Sequence, residues 1–192
     1  MTLRLVLASA SPRRLDLLAQ IGVTPDEVFF PRVDETRLPQ ELPRLLAGRL
    51  ARAKAEAASH AFPHCFILAA DTVVAVGRRV LPKAETEAAA RACLDLLSGR
   101  RHRVLSGVVL LAPGGRRAER LVQTVVAFNR LTSQQKAAYL ETGEWRGKAG
   151  GYAIQGRAAA FVRFLSGSYG GVVGLPLFET AQLLRGFGWQ VP

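Results

Sequence analysis

Residues 3–22 read LRLVLASASPRRLDLLAQIG, and they indicate the fold class of the chain. Leu3–Ala8 is an apolar run, which predicts a buried strand. Ser11 fits the N-cap of a helix, Pro12 fits its first position, and Gly22 is a typical helix terminator. The stretch therefore predicts a strand, a short serine-rich turn and a helix, which is the recurring unit of α/β proteins.

The rest of the chain continues the alternation of strands and helices. Apolar runs predict further strands at Val28–Phe30 and at Cys65–Ala70, the second of them buried on both faces. Val104–Leu111 and Leu121–Phe128, joined by Pro113-Gly114-Gly115, predict a long hairpin. A hairpin is antiparallel, so we expect an α/β fold with a mixed sheet. Helices are predicted over residues 40–60 and 89–97, from a capping box at 132–135 to Gly143, and from about residue 175 onwards.

Length and composition indicate a soluble globular protein. The 192 residues are enough for one domain, or for two lobes that share a cleft. Hydrophobic residues make up 49% and charged residues 21% of the chain. No apolar run reaches the length of about 20 residues that spans a bilayer, and the first residues do not resemble a signal peptide. We therefore expect a cytoplasmic protein with no membrane contact, in which Cys65 and Cys93 are reduced core residues.

The formal net charge of +11 bears on the ligands of the protein. A basic surface attracts nucleic acid, acidic membranes or small polyanions such as nucleotides, and composition alone does not choose among them. The basic residues are mostly arginines spread along the chain, which argues against a dedicated nucleic-acid-binding arm.

The segment Ser9–Arg14 is a candidate phosphate site. A helix N-terminus carries a partial positive charge, so two arginines in its first turn are unfavourable by about 0.3–1 kcal/mol each. The conflict disappears when an anion binds there, because backbone N–H groups, hydroxyls and guanidinium groups then converge on it. The alternative is that Arg13 and Arg14 are solvated residues on an ordinary capped helix.

Asp71 is a candidate for the chemistry. It follows the apolar run Cys65–Ala70, and open α/β sheets bind ligands at the ends of such strands. A carboxylate there could hold a divalent metal or activate a water molecule, or it could simply end the strand in a turn. Glu35, in the acidic pair Asp34-Glu35, could supply the second carboxylate of a metal site completed by substrate phosphates.

Three lysines and a glutamine complete the candidate set. Lys54, Lys83 and Lys148 are placed where a point-charge ligand for phosphate would fit, although each could equally be a surface lysine. Gln155 lies in a glycine-dense stretch with Tyr152, and its amide suits recognition of the edge of a base. A tight turn with a core tyrosine is the alternative there.

These motifs together resemble the Maf family of nucleoside triphosphate pyrophosphatases, over nearly the whole chain from Leu7 to about Phe187. The resemblance rests on six motifs in the family's order. They are Ala8-Ser9-Ala10-Ser11-Pro12-Arg13-Arg14, Asp34-Glu35, Ala51-Arg52-Ala53-Lys54-Ala55, Ala70-Asp71-Thr72, the stretch from Lys148 to Gly156, and Gly167-Ser168-Tyr169 with Val173-Gly174-Leu175-Pro176-Leu177.

The resemblance implies both architecture and activity. Residues 1–192 are expected to form a single Maf-like domain, an elongated mixed-sheet α/β fold whose two lobes surround a central cleft, similar to inosine triphosphate pyrophosphatase and Ham1. The implied reaction cleaves a nucleoside triphosphate between its α and β phosphates, with Mg²⁺ or Mn²⁺ as cofactor. The resemblance also implies a house-cleaning enzyme of the cytoplasm that is a homodimer and binds no nucleic acid stably.

The resemblance also assigns roles to residues. It implies that Asp71 is the proton acceptor, and whether Asp71 acts as base or as metal ligand stays open. The Ile154-Gln155-Gly156 form is similar to the branch acting on dTTP and UTP, rather than to the branch acting on 7-methyl-GTP. The other implied assignments are substrate specificity for Arg13, Thr72 and Gln155, phosphate binding for Ser9, Arg14, Lys54 and Lys83, and metal binding for Glu35 together with Asp71.

A second hypothesis is a nonenzymatic regulator of septum formation and cell division that binds nucleotides or nucleic acid. The charge of +11 favours it, and the Maf family takes its name from an effect on bacterial septum formation. Binding of single-stranded nucleic acid usually needs aromatic stacking platforms. Aromatic residues make up only 7% of the chain and no nucleic-acid-binding module is recognisable, so we favour the enzyme.

Overall fold

The computed structural model describes residues 4–191. Its strands are β1 (Leu5–Ala8), β2 (Glu27–Phe29), β3 (Phe66–Val76), β4 (Arg79–Leu81), β5 (Lys83–Ala84), β6 (Arg101–Leu111), β7 (Arg117–Phe128), β8 (Lys148–Ala149) and β9 (Val162–Ser166). Its α-helices are α1 (Pro12–Gln20), α2 (Pro43–Ala61), α3 (Glu87–Leu97), α4 (Ser133–Glu141), α5 (Tyr169–Val173) and α6 (Leu177–Gly186). A 3₁₀ turn covers Arg157–Phe161.

The main sheet is mixed, as predicted. Its seven strands include the path β2-β1-β3-β6-β7-β9, with β4 paired to β3. Strand β1 is parallel to β2 and β3, whereas the pairs β3–β6, β6–β7 and β7–β9 are antiparallel. The β6–β7 hairpin is the one predicted from its apolar runs and its Pro-Gly-Gly turn. A separate small sheet pairs β5 with β8.

Local signals set the ends of the helices. Helix α1 starts at Pro12 after an extended Ser11, and Gly22 beyond its end has a φ of 69°. Helix α4 opens with the predicted capping box, in which Thr132 and Gln135 exchange side-chain-to-backbone hydrogen bonds. Helix α2 starts at Pro43, three residues later than expected, because Pro at the first helical position sets the boundary. Leu3, predicted to begin the first strand, lies outside the described residues.

One prediction about strand β3 is wrong. Asp71 was expected at the end of a strand, but β3 continues unbroken from Phe66 to Val76 and pairs Asp71 with Gly107 of β6. The reason is that Asp71, although only 5% exposed, forms an ion pair with Lys54. A paired charge can lie in the interior of a strand, where an unpaired one would be expelled.

Alternating side chains of β1 pack into hydrophobic cores on the two faces of the sheet. Leu5 and Leu7 pack into a core shared with α3 and α6, whereas Val6 and Ala8 pack against the alanines of α2. Both cysteines are buried and reduced. Within residues 4–191, no helix has the length and the apolar character needed to cross a bilayer.

Helix α2 approaches the sheet very closely at Gly107. A Cβ atom built on Gly107 would lie 2.5 Å from the carbonyl oxygen of Ala47 and 3.2 Å from the Cβ of Ala51. Real Cβ atoms do not approach a backbone oxygen so closely, so only glycine fits here. The contact matters for the site because α2 also carries Lys54, the partner of Asp71.

We expect Gly107→Ala to destabilise the protein by about 1–3 kcal/mol, because α2 must move away from the sheet to make room for the methyl group. Urea denaturation followed by circular dichroism would measure the change. Gly186→Ala is the matched control, since a Cβ at Gly186 would meet no atom within 4 Å. An unchanged urea midpoint for Gly107→Ala would contradict the close packing described here.

Candidate active site

A pocket of about 400 Å³ lies where the turn after β1, helix α2, strand β3 and the small β5–β8 sheet meet. Eight of the nine residues to which the family resemblance assigns a role line it: Ser9, Arg13, Arg14, Glu35, Lys54, Asp71, Thr72 and Lys83. The further candidate Lys148 lines it as well. The ninth, Gln155, is exposed and does not line it. The pocket therefore brings together basic and acidic side chains from distant parts of the sequence.

Arg14 is fixed in the wall of the pocket. It is 7% exposed; its Nη1 donates to Oγ of Ser9 at 2.7 Å, and its Nε donates to the carbonyl oxygen of Gly174 at 2.9 Å. Burial lowers the pKa of Arg14, against the attraction of the Asp71 carboxylate. Ser9 is itself oriented, because its Oγ accepts a hydrogen bond from the backbone N–H of Ser11. A guanidinium fixed in this way is preorganised to bind an anion.

Lys54 lies between two carboxylates. Its Nζ is 2.6 Å from Oδ1 of Asp71 and 2.7 Å from Oε1 of Glu35. Glu35 also pairs, through Oε2, with Lys83. Charges of opposite sign thus alternate through Asp71, Lys54, Glu35 and Lys83. Lys54 and Asp71 are both buried, so this part of the site is held by attraction in a region that water scarcely reaches.

The Glu35 carboxyl is strongly acidic. Burial raises its pKa, but hydrogen bonds and charge from Lys54 and Lys83 outweigh that effect and lower the pKa from 4.5 to about 2. Glu35 is therefore ionised at any physiological pH. Oε1 of Glu35 and Oδ1 of Asp71 both lie within 2.7 Å of Nζ of Lys54. Two carboxylate oxygens, which are hard ligands for metal ions, are therefore close together.

This pair of carboxylates fits a divalent cation that also binds phosphate. Residues 4–191 contain no group of three or more His, Cys, Asp or Glu side chains placed to hold a metal ion. A complete protein cage is not what Mg²⁺ requires, because it is usually bound by one or two carboxylates together with substrate phosphates and water. Glu35 and Asp71 supply that number.

Two further cations that line the pocket, Arg13 and Lys148, have no carboxylate partner among the described residues. In the described part of the chain, no Asp or Glu lies within ion-pair distance of Arg13 or Lys148, and Lys148 donates only to the carbonyl oxygen of Arg146. Burial and then repulsion from Arg13 lower the pKa of Lys148. Two neighbouring cations without an anionic partner favour binding of an anion between them.

Thr72 and Gln155 lie in different surroundings. Oγ1 of Thr72 lies 3.4 Å from the carbonyl oxygen of Gly174, the residue that also accepts from Arg14. Gln155 follows the buried Ile154, is exposed, and is not among the residues that line the pocket. The structure thus brings Thr72 and Arg13 together at the pocket and leaves Gln155 outside it.

Arg146 and Pro31 are among the residues that line the pocket without having been predicted. Arg146 lies two residues before Lys148, and Pro31 lies four residues before Glu35. A basic residue next to the glycine-dense stretch was the available signal for Arg146, but the chain has many arginines and nothing distinguishes this one locally. The carbonyl of Gly174, which fixes Arg14, could not be found by any pattern of side chains.

A buried histidine, His102, contacts a residue that lines the pocket. His102 is 2% exposed, and its Nε2 lies 2.8 Å from Oη of Tyr152, a residue that lines the pocket. The rings of His102 and Tyr152 both pack edge-to-face against Phe128. Nδ1 of His102 has no hydrogen-bond partner among the described groups. Burial lowers the pKa of His102 from 6.5 to about 4, so the ring is neutral near pH 7.

We expect the stability of the protein to fall as the pH falls from 6.5 to 4. In that range the unfolded chain binds a proton at His102 and the folded protein does not, and a pKa difference of this size is worth about 3 kcal/mol. Urea midpoints at pH 7 and pH 4.5 would measure the loss, which should shrink in His102→Gln. The exposed His60 is the control: if His60→Gln and His102→Gln lose stability equally, the prediction is wrong.

Comparison with known proteins places these residues in a family. The model of a family described as Maf-like protein matches residues 4–187. A dTTP/UTP pyrophosphatase of Granulibacter bethesdensis is 62% identical, and the match covers 97% of this chain and 94% of that protein. A dTTP/UTP pyrophosphatase of Caulobacter vibrioides is 61% identical, with 97% of this chain and 96% of that protein covered.

The chain also shows a likeness to a solved structure. The Ham1 protein of Staphylococcus aureus is 19% identical, covers 65% of this chain and 71% of its own, and has a TM-score of 0.47. The family match spans nearly all the described residues, and the two relatives match over nearly their full length. The chain belongs to the Maf family.

Proposed function

We propose that this protein is a nucleoside triphosphate pyrophosphatase that hydrolyses the α–β phosphoanhydride of dTTP and UTP, and of modified pyrimidine nucleotides, to the monophosphate and pyrophosphate. The observation that carries the proposal is the single pocket in which Asp71 and Glu35 lie beside Arg14, Lys54 and Lys83. Relatives about 60% identical over nearly their full length bear the name dTTP/UTP pyrophosphatase, which supports the choice of substrate.

The cofactor in this proposal is Mg²⁺ or Mn²⁺, held by Glu35 and Asp71 together with the substrate phosphates. When bound, such a cation supplies Lewis-acid polarisation of the phosphoryl oxygens and neutralises part of the developing charge. The alternating charges of the pocket suit this arrangement, because the carboxylates of Glu35 and Asp71 lie close together, each within 2.7 Å of Nζ of Lys54.

The chain's own residues then bind and orient the reactants. Arg14, fixed by Ser9 and the Gly174 carbonyl, binds the phosphates, and Lys83 and Lys54 offset charge on the pyrophosphate leaving group. Asp71 either accepts the proton of the attacking water or, acting itself as a ligand of the cation, orients that water.

Specificity in this proposal comes from three positions. Arg13 and Thr72 contact the nucleoside from the pocket wall, and Gln155 reads the edge of the pyrimidine from the adjoining glycine-dense turn. Gln155 lies outside the pocket, so this role requires the turn or the base to shift on binding. A loss of preference for pyrimidines in Gln155→Ala, at similar turnover, would support it.

We also infer how the protein is organised. Residues 1–192 form a single domain of two lobes around the pocket, and the protein works as a homodimer in the cytoplasm without stable contact to nucleic acid. Light scattering coupled to size-exclusion chromatography would measure the mass in solution, and a monomer of 20.8 kDa would contradict the dimer.

Pyrophosphate release from a panel of nucleoside triphosphates tests the proposed function. The panel contains dTTP, UTP, CTP, 7-methyl-GTP, the purine nucleotides and modified pyrimidine nucleotides, each with Mg²⁺ or Mn²⁺. We expect release to be fastest with dTTP and UTP. Binding of nucleotides without release from any of them would favour the nonenzymatic regulator, and preference for 7-methyl-GTP would place the protein in the other branch of the family.

A further inference from the structure

Glu35 lies on a segment that the hydrophobic core does not hold. Residues 30–42, here called the Glu35 loop, connect β2 to α2 and contain no helix or strand. All of these residues are described, and no apolar residue among them is buried. Burial of apolar surface is the main force that orders a chain, so a loop without it depends on polar contacts for its position.

The strongest of these contacts joins the loop to helix α2. Arg49 of α2 forms a two-pronged ion pair with Glu41, in which Nε lies 2.7 Å from Oε1 and Nη2 lies 2.9 Å from Oε2. The Glu41 side chain is only 7% exposed in this pair. Paired contacts of this kind between Arg and a carboxylate fix both distance and orientation.

Arg49 also binds the loop at a second point. Its Nη2 donates to the carbonyl oxygen of Thr36 at 2.9 Å, one residue after Glu35. Between these two points the loop is closed on itself, because Leu38 donates its N–H to Oε2 of Glu41 and Glu41 donates its N–H to the carbonyl of Leu38. One guanidinium group therefore holds both ends of the segment 36–41.

Helix α2 thereby fixes the position of Glu35 through two of its residues. Arg49 holds the backbone just after Glu35, and Lys54, five residues further along the same helix, holds the Glu35 carboxylate at 2.7 Å. Neither Arg49 nor Glu41 lines the pocket, so neither residue contacts a molecule bound there.

We propose that Arg49 and Glu41 are positioning residues, which hold the Glu35 loop so that Glu35 meets Lys54 and Lys83 in the active pocket. Their effect on turnover rests on the proposed pyrophosphatase function, whereas their effect on the loop does not. The contact also explains why a loop without buried apolar residues can carry a group on which the site depends.

Hydrogen exchange of the whole protein tests the effect on the loop without any substrate. In Arg49→Gln and in Glu41→Gln, amides of residues 34–41 should exchange at least about tenfold faster than in the unchanged protein, and amides of β3 and β6 should not. Arg52→Gln is the matched control, because Arg52 lies on the same helix and pairs with the exposed Glu119 at 3.2 Å. Equal exchange in Arg49→Gln and Arg52→Gln would overturn the proposal.

Kinetics test the effect on the site. We expect kcat/KM for dTTP to fall by about tenfold to a hundredfold in Arg49→Gln, because small displacements of a catalytic group are costly. Arg49→Lys, which keeps the charge but loses the two-pronged geometry, should show most of that loss, and Arg52→Gln none. Melting temperatures of the Arg49 and Arg52 variants should agree, which separates positioning from general stability.

A double-variant cycle decides whether the effect passes through Glu35. In a Glu35→Gln background, assayed with enzyme in excess over substrate, adding Arg49→Gln should cause little further loss. The same fold loss in both backgrounds would overturn the proposal. If the unchanged protein released no pyrophosphate from any nucleotide, the proposed function would fail, and the exchange experiment would still decide the role of Arg49 and Glu41.

Discussion

Asp71→Asn is expected to lower turnover of dTTP by about 10³-fold or more, near the upper range of what a positioned general base or acid contributes. Asn keeps the shape of Asp but cannot accept a proton from water, and it is a weaker metal ligand. The effect is therefore expected whether Asp71 acts as the base or as a ligand. Pyrophosphate release at saturating Mg²⁺ or Mn²⁺ is the measurement.

The same variant should keep its fold, which makes the loss of activity interpretable. Asp71 is held in β3 by strand pairing with β6, and Lys54 retains Glu35 as its ionic partner. We expect a loss of stability of about 1–2 kcal/mol, because the Asn oxygen can still accept from Lys54. Asp95→Asn is the control, since Asp95 pairs with Lys136 away from the pocket. Near-normal turnover in Asp71→Asn would exclude Asp71 as the central residue of the site.

Short-range signals in the sequence were enough to predict most helices and the class of the sheet. The capping box at Thr132 works because the residues that satisfy the helix end lie within three positions of it. Pro12 marks the first residue of α1, although the Ser11 side chain makes no capping hydrogen bond. The length of β3 could not be predicted in this way. Its continuation through Asp71 depends on Lys54, which a separate helix supplies.

The same contrast between local signals and long-range contacts holds for the residues of the site. Motifs could indicate Ser9, Arg14 and Asp71 as chemically suited residues, but not which of them contact one another. Arg14 is oriented by the carbonyl of a residue 160 positions away, and no local pattern encodes that contact. Arg49 and Glu41 resemble ordinary charged residues around the start of a helix, and their relation to Glu35 depends on the path of the loop between them.

Lys54→Met is expected to destabilise the protein by about 3–5 kcal/mol, because it removes one partner from a buried ion pair. Met retains much of the apolar stem, so the loss would reflect charge rather than volume. Asp71, 5% exposed, would lose its ion-pair partner while the Glu35 carboxylate stays nearby, and two neighbouring carboxylates repel. Urea denaturation at pH 7 would measure the loss, with Lys136→Met, which removes a surface pair, as a control expected to lose less than about 1 kcal/mol.

A double variant shows whether Lys54→Met loses stability because the buried Asp71 carboxylate has lost its cation. Lys54→Met combined with Asp71→Asn leaves no buried carboxylate without a cation, so most of the stability lost in Lys54→Met should return while activity stays absent. If the site binds a divalent cation as proposed, Mn²⁺ should raise the melting temperature of Lys54→Met more than that of the unchanged protein, because it would replace the missing positive charge. Equal stability of Lys54→Met and the unchanged protein would show that the buried pair contributes little. The charges of Asp71 and Glu35 would then have to be balanced by water rather than by Lys54.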